Sequence, residues 1–459
     1  MKFFATTDRL SAFSASVDYT KPYRQYFISI CAVYLLVAGW LAIRVRFGVM
    51  DELFHLEYSL PFAKSGLTKT TLYRHVPPTG VASHLWFALW IWLFPTIDYI
   101  GLRLITCMAL AGLAVATYVH LRSFSGVWQR RILAASVFTL VCPYFFLSVS
   151  TVMTEGPSLV FLFAGLLLLS VSRLERLFPF FLACCLLGLT TIARFYYIPL
   201  LPALFVVLAV EDWERYRQIG VKAFTTHRIL FYVSIGISLL PLAGLVSLWG
   251  GFTPPLFHQW SKLRSGVSFN ALRPISAFIL TGIYIAPIVW LSGFRYLKSA
   301  LSIVIGSFML ALILALLQIN LLRDPESVND VFSGPIEHGL GWLMAKGQLA
   351  ISLGLLVVYT LGFVSLVIVI QQLFQILMAE GFVDKGLVFS IAFVALFIAS
   401  QAFIGGNHPF FERYLIHPWP FIGYGLIRAF PESTNIKTYA VLAVYTVVSV
   451  LLLTKWGLS

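Results

Sequence analysis

Long apolar stretches separated by short polar breaks dominate this chain. A helix that crosses a bilayer needs about 20 apolar residues. On that measure apolar runs fall at roughly 26–45, 99–119, 132–150, 157–171, 180–193, 196–210, 229–249, 275–292, 300–318, 348–370, 387–404, 418–430 and 438–454. They predict an all-α, polytopic membrane protein of about 13 transmembrane helices, a single integral membrane domain over residues 1–459. The stretch "SHLWFALWIWLF" (83–94) is strongly apolar but only about 12 residues long before Pro95. It suits an interfacial or re-entrant helix inside a first outer loop over 46–98. The polar lead-in, with Lys21, Arg24, Tyr23 and Tyr26, predicts an uncleaved first span rather than a signal peptide. No internal repeat is visible.

Composition strengthens this picture. Hydrophobic residues make up 59% and charged residues 11%, against about 25% charged in soluble domains. The net charge of +13 fits cytoplasmic cations and anionic lipid or phosphate partners, with no nucleic acid. The basic loops hold Arg122, Arg130 and Arg131, then Arg173 and Arg176, then Arg295 and Lys298. They are expected in the cytoplasm together with the N-terminus. The longer loops, about 46–98, 250–274, 319–347 and 404–417, then fall on the outer or lumenal face. Seven of the nine histidines lie in them: His55, His75, His84, His258, His338, His408 and His417. The five cysteines sit in apolar runs with no metal-ligand spacing. No cofactor is called for. The acids could ligate a divalent metal, but their spacing makes no positive case.

Polar residues inside such a chain need a reason. After the first span come Asp51, Glu52, His55 and Glu57. On a helix, Asp51, His55, Tyr58 and Ser59 share one face, and Leu53, Leu56 and Leu60 lie on another. That predicts a helix lying on the membrane with its polar face up. Asp51, partly desolvated, can accept a proton from a hydroxyl; equally, Asp51 and Glu52 can simply solvate the end of a span. In "RHVPPTG" (74–80) the prolines stiffen a turn beside Arg74 and His75. Those two residues can face a phosphate, and a rigid loop is the plainer account. Glu155 stands between two apolar helices, where an acid is costly and functional by default. Arg194, in a small turn between spans, is expected to pair with an acid or an anionic headgroup, with Glu155 a candidate on the same side. "GGNHPFFERYLIHPWPF" (405–421) adds His408, Glu412, Arg413, Tyr414 and His417, and Arg413 can grip a phosphate with two hydrogen bonds. Walker, dinucleotide, H-E-x-x-H and G-x-S-x-G motifs are missing.

"MDELFH" (50–55), Gly66 and "VPPTG" (76–80) together resemble the first-loop pattern of the dolichyl-phosphate-glucose α-1,2-glucosyltransferases. These belong to the GT-C superfamily of polyprenyl-phosphate-sugar-dependent glycosyltransferases. Here Thr79 separates Pro78 from Gly80, and the family's Pro-Gln after the histidine and Trp-Asp before the prolines are absent. Glu155, Arg194 and "ERYLIHPWP" (412–420) are similar to features spread across the wider superfamily. The resemblance implies a GT-C-like fold and a membrane hexosyltransferase moving glucose or mannose. The donor would be a polyprenyl- or dolichyl-phosphate sugar, and the acceptor a lipid-linked or cell-envelope glycan. It implies an inverting single displacement with Asp51 as general base and Glu52 beside it. His55, His75, Glu155, Arg194, Glu412, Arg413 and Tyr414 would bind substrate. The active site would face the periplasm or lumen, in a bacterial plasma membrane or else an endoplasmic reticulum membrane. The rival expectation is a secondary transporter or flippase of a lipid-linked sugar, which would keep its polar site at the midplane.

Overall fold

The computed structural model describes residues 20–45, 51–77, 80–121, 136–223, 225–257, 269–299, 301–316, 335–404, 412–430, 441 and 443–451. The described residues form helices and no strand. In chain order these are α1 (Thr20–Arg44), α2 (Glu52–Ser65), α3 (Lys69–Tyr73), α4 (Val81–Leu93), α5 (Tyr99–Leu121) and α6 (Phe145–Val149). Then come α7 (Glu155–Ser172), α8 (Leu177–Ala193), α9 (Leu200–Ile219), α10 (Thr226–Trp249) and α11 (Leu272–Ser299). Next are α12 (Leu301–Leu316), α13 (Pro335–Met344), α14 (Gln348–Glu380), α15 (Lys385–Ser400) and α16 (Trp419–Ala429), and residues 443–451 are helical too. Arg122, Arg130, Arg131, His258, His408, Pro78 and Thr79 lie outside the described residues.

Six helical stretches are long and apolar enough to cross a bilayer: Tyr99–His120, Glu155–Ser172, Phe195–Ile219, Thr226–Trp249, Leu272–Leu291 and Gln348–Glu380. Shorter apolar helices accompany them, among them Ile28–Arg44, Leu177–Ala193 and Lys385–Ser400. With the composition, this makes the chain an integral, multi-pass membrane protein. Two expected spans differ. The described part of 132–150 is two short helical pieces, 136–140 and α6, divided at Cys142-Pro143; proline lacks the amide that would continue the ladder. α16 has 11 residues, about 16 Å of rise against a hydrocarbon core of about 30 Å. It lies buried between α14 and α15, its N-terminal end following His417 beside Tyr196 and its last turn holding Arg428 beside Asp384.

The helices pack as hairpins and crossings: α1 on α5, α7 on α8, α8 on α10, α9 on α15, α11 and α12 on α14. Without a hydrophobic drive between lipid-embedded helices, close van der Waals approach holds them. At the α11–α14 crossing a Cβ on Gly282 would run into the Gly362 carbonyl. One apolar core runs from Ala38 to Tyr445.

Charged groups gather at the two ends of this bundle. One end collects the C-terminal ends of α1, α8 and α15 with the N-terminal ends of α2, α4, α5, α7, α9, α11 and α16. The other collects the C-terminal ends of α14 and α16, the N-terminal ends of α10 and α15, and the second half of α9. There Asp212 holds Arg228 at 2.7 Å, Lys385 reaches Glu214 at 2.5 Å and Glu211 at 3.4 Å, and Arg428 pairs with Asp384 at 2.8 Å and with Glu380.

Candidate functional site

The site lies at the first of these ends, and α2 builds its floor. The helix is rotated from the expected pose. Glu52, His55, Ser59 and Phe62 are buried, whereas Leu53 and Leu60 are exposed. The polar face therefore turns into the protein and Leu53 and Leu60 turn out, while Leu56 packs partly buried beside Phe87, Leu102 and Val152. The reason is that each polar group finds a partner inside. Both Glu52 oxygens are taken by Arg103: Nε donates to Oε1 at 2.7 Å and Nη2 to Oε2 at 2.6 Å. The Val152 amide donates a further bond to Oε1 at 2.7 Å. Arg103 Nη1 donates to the carbonyls of Ala42 and Val45, at 2.9 and 2.8 Å. Glu52 and Arg103 thus tie the end of α1, α2, α5 and the segment before α7 into one knot, both side chains fully buried.

Asp51 stays at the rim. Its side chain is 38% exposed, and its carboxylate lies 3.9 Å from the Arg413 guanidinium. Glu155, at the first turn of α7, pairs with Arg194 at the end of α8, the partnership expected from their shared side. Thr154 Oγ1 donates to its second oxygen at 3.4 Å. Glu155 also feels the charge of Arg413 and lies near His417 and His55. Residues distant in sequence, Asp51, His55, Glu155, Arg194, Arg413 and His417, therefore share one neighbourhood.

Glu412 and Arg413 part company on their short 3-10 turn. Arg413 faces Asp51 and stacks over Tyr414, 5.4 Å from the ring centre. Glu412 is fully buried and accepts from the hydroxyls of Tyr284 and Tyr144 and, at 3.5 Å, from the Ile336 amide. Tyr414 packs on Tyr196 with ring centres 4.4 Å apart. Arg273 reaches the Tyr196 hydroxyl at 3.2 Å and Gln401 at 3.4 Å, and lies 6.0 Å from the Tyr414 ring centre. Arg103 and Arg273 went unnoticed in the sequence because each reads as a cation snorkelling at the start of a span.

His417 is fully buried between Tyr196, stacked at 5.3 Å, and Tyr197, edge-on at 4.7 Å. Neither of its ring nitrogens has a hydrogen-bond partner among the described residues. Leaving a buried polar group unbonded costs about 1–3 kcal/mol, which an oxygen-rich ligand would offset.

His75 is not at the Arg413 cluster. It forms a row with His84 and His55: His55 Nδ1 and His84 Nε2 share a hydrogen bond of 3.0 Å, and His84 Nδ1 and His75 Nε2 one of 2.7 Å. Gly80 sets His84. Its carbonyl accepts the His84 amide at 2.7 Å. Its φ of +98° suits glycine, and a Cβ there would stand 2.9 Å from Thr154 and 3.0 Å from the His84 ring. Burial pushes His55 and His75 down to about 3, so both rings are neutral near pH 7. No cluster of three or more His, Cys, Asp or Glu among the described residues is arranged to hold a metal.

No protein-family model matches the chain, and no curated protein does. Among solved structures it is similar to the crystal structure of ArnT from Cupriavidus metallidurans bound to undecaprenyl phosphate. The identity is 13% and the TM-score 0.36, over 89% of this chain and 77% of that one.

Proposed function

We propose that this protein is a membrane glycosyltransferase that moves a hexose from a polyprenyl-phosphate carrier to a glycan or glycolipid acceptor. One observation carries the proposal: Asp51, Glu155, Arg194, Arg413 and His417 meet at one end of an apolar helical bundle. A lipid phosphate needs cations at membrane depth, a sugar needs hydrogen-bonding groups on rigid helix ends, and an attacking hydroxyl needs a base. Asp51 accepts the proton of the acceptor hydroxyl. The acceptor oxygen bonds to the anomeric carbon as the bond from that carbon to the phosphate oxygen breaks. The leaving phosphate gains negative charge, so Arg413 and Arg194 hold it more tightly in the transition state than before it. Glu155 fixes Arg194 and, with His55 and His417, lines the space for sugar hydroxyls. Tyr414 braces Arg413. Glu52 and Glu412 keep the scaffold in place through their buried bonds. The site lies on the periplasmic or lumenal face, opposite the basic Arg173 and Arg176 turn.

A transporter of the same cargo would place such groups midway along broken helices; here they sit at helix ends. The deciding experiment incubates purified protein in liposomes with undecaprenyl- and dolichyl-phosphate glucose and mannose and a set of glycolipid acceptors. Release of polyprenyl phosphate with a glycosylated acceptor is expected. Movement of the intact lipid-linked sugar across the bilayer without transfer would sink the proposal.

A further inference from the structure

Arg413 faces the rim acid Asp51 across 3.9 Å, and Asp51 is partly exposed. A pair that loose, with water on one side, contributes little by itself. An arginine side chain is long and flexible, and fixing it in one pose costs entropy. What aims Arg413 lies behind it. Its guanidinium sits over the Tyr414 ring, 5.4 Å from the centre. Tyr414 packs on Tyr196, ring centres 4.4 Å apart, and the Tyr196 hydroxyl donates a hydrogen bond to the Tyr414 hydroxyl. The Tyr196 hydroxyl in turn accepts from Arg273 Nη2 at 3.2 Å. Arg273 Nε donates to Gln401 Oε1 at 3.4 Å, and Gln401 Nε2 donates to the Phe397 carbonyl at 3.2 Å. The row thus runs unbroken from the backbone of α15 to the Asp51 carboxylate. Its members come from the start of α11, the end of α15, the turn after α8 and the 3-10 turn before α16. Tyr196, Arg273 and Gln401 are all buried.

We propose that Arg273 and Tyr196 are positioning residues: through Tyr414 they hold the Arg413 guanidinium against Asp51. A phenol hydroxyl has one proton and lone pairs to accept with. Tyr196 uses both, accepting from Arg273 and donating to Tyr414, so its ring cannot turn without losing two bonds. The row begins at a cation, and hydrogen bonds from a charged donor are the stronger kind. Tyr414 is thereby fixed against Tyr196, and the neighbouring Arg413 has one ring to lie on. Arg273 also lies 6.0 Å from the centre of that ring, so its charge reaches Tyr414 directly as well as through Tyr196. That Arg413 then serves the leaving phosphate rests on the transfer reaction above; its placement does not.

Two measurements test it. The first is solid-state NMR without substrate, on protein in phosphatidylethanolamine–phosphatidylglycerol vesicles, with 13C in the aspartate carboxylates and 15N in the arginine guanidiniums. Carbon–nitrogen dipolar coupling reads the separation of each pair. The Asp51–Arg413 coupling, identified by its loss in Asp51→Asn, should weaken in Arg273→Gln and in Tyr196→Phe, which keeps the ring and loses only the hydroxyl. Asp212–Arg228 and Asp384–Arg428, at the opposite end of the bundle, are internal controls and should hold. An Asp51–Arg413 coupling unchanged in either variant overturns the proposal. Loss of the control couplings together with it also overturns it, since the two residues would then only support the fold. The second measurement uses whichever donor turns over. Each variant should lower kcat up to about 10²-fold, the cost of a misplacement of ~1 Å, with the acceptor KM little changed. In an Arg413→Ala background neither should lower kcat further, because the group they place is gone. Losses that add overturn the positioning role, because Arg273 would then meet the substrate itself. Turnover with an unmoved Asp51–Arg413 pair overturns the placement and leaves transfer standing. A weakened pair without turnover of any donor keeps the placement and overturns transfer.

Discussion

Asp51 and Glu52 are neighbours in sequence with opposite environments. Asp51 keeps 38% of its side chain exposed beside Arg413; Glu52 has no exposure and three donors. Asp51→Asn should therefore lower turnover about 10²–10⁴-fold, the usual cost of a lost proton acceptor, with the fold intact by thermal unfolding. Turnover within tenfold of wild type would remove Asp51 as the base. Arg413→Ala should lower kcat more than it raises the KM for acceptor, because the cation acts on charge that develops at the leaving group. The buried histidines carry a pH signature. His55 and His75 titrate near 3 in the folded protein and near 6.5 when unfolded. Between those values the unfolded chain binds protons that the folded one refuses, so stability is full above pH 6.5 and declines as pH falls toward 3. A thermal midpoint that drops across this window, with a shallower drop in the His55→Gln, His75→Gln double variant, is expected. A midpoint constant from pH 7.5 to 4 would contradict it.

At the scale of elements, the Glu52–Arg103 knot joins α1, α2 and α5. Removing one partner of a buried pair typically costs about 3–5 kcal/mol. Glu52→Ala should accordingly cut the yield of folded protein and lower its thermal midpoint sharply, whereas a silent substitution would show that the knot is dispensable. How much could be read from the chain follows from the same elements. Most apolar runs became helices near their expected limits because hydropathy and length decide them. The Glu155–Arg194 pair was legible because both stand alone at helix ends. The orientation of α2 was not. Its two faces were correctly divided, but which face is inward depends on Arg103 and His84, whose positions arise from packing between segments far apart in sequence. The break at Cys142-Pro143 was marked by the proline yet hidden by apolar neighbours.

For the whole molecule, the two charged ends fix an axis. If the site end is external, Lys69→Cys should react with a membrane-impermeant thiol reagent added outside, and Glu175→Cys, in the turn between α7 and α8, only from inside. Both positions are exposed, and four of the five native cysteines are buried. Equal labelling from one side would break the proposed sidedness.

The far-end ion pairs carry a mechanical consequence. Asp212–Arg228, Lys385–Glu214 and Arg428–Asp384 clamp α9, α10, α15 and α16 together, about 24 Å from the site along the 16 residues of α15. Rods pinned at one tip can splay only at the other. If the protein acts as proposed, a bulky isoprenoid would enter sideways from the bilayer where the site-end tips part, like a clothes-peg opening, while the clamped end stays shut.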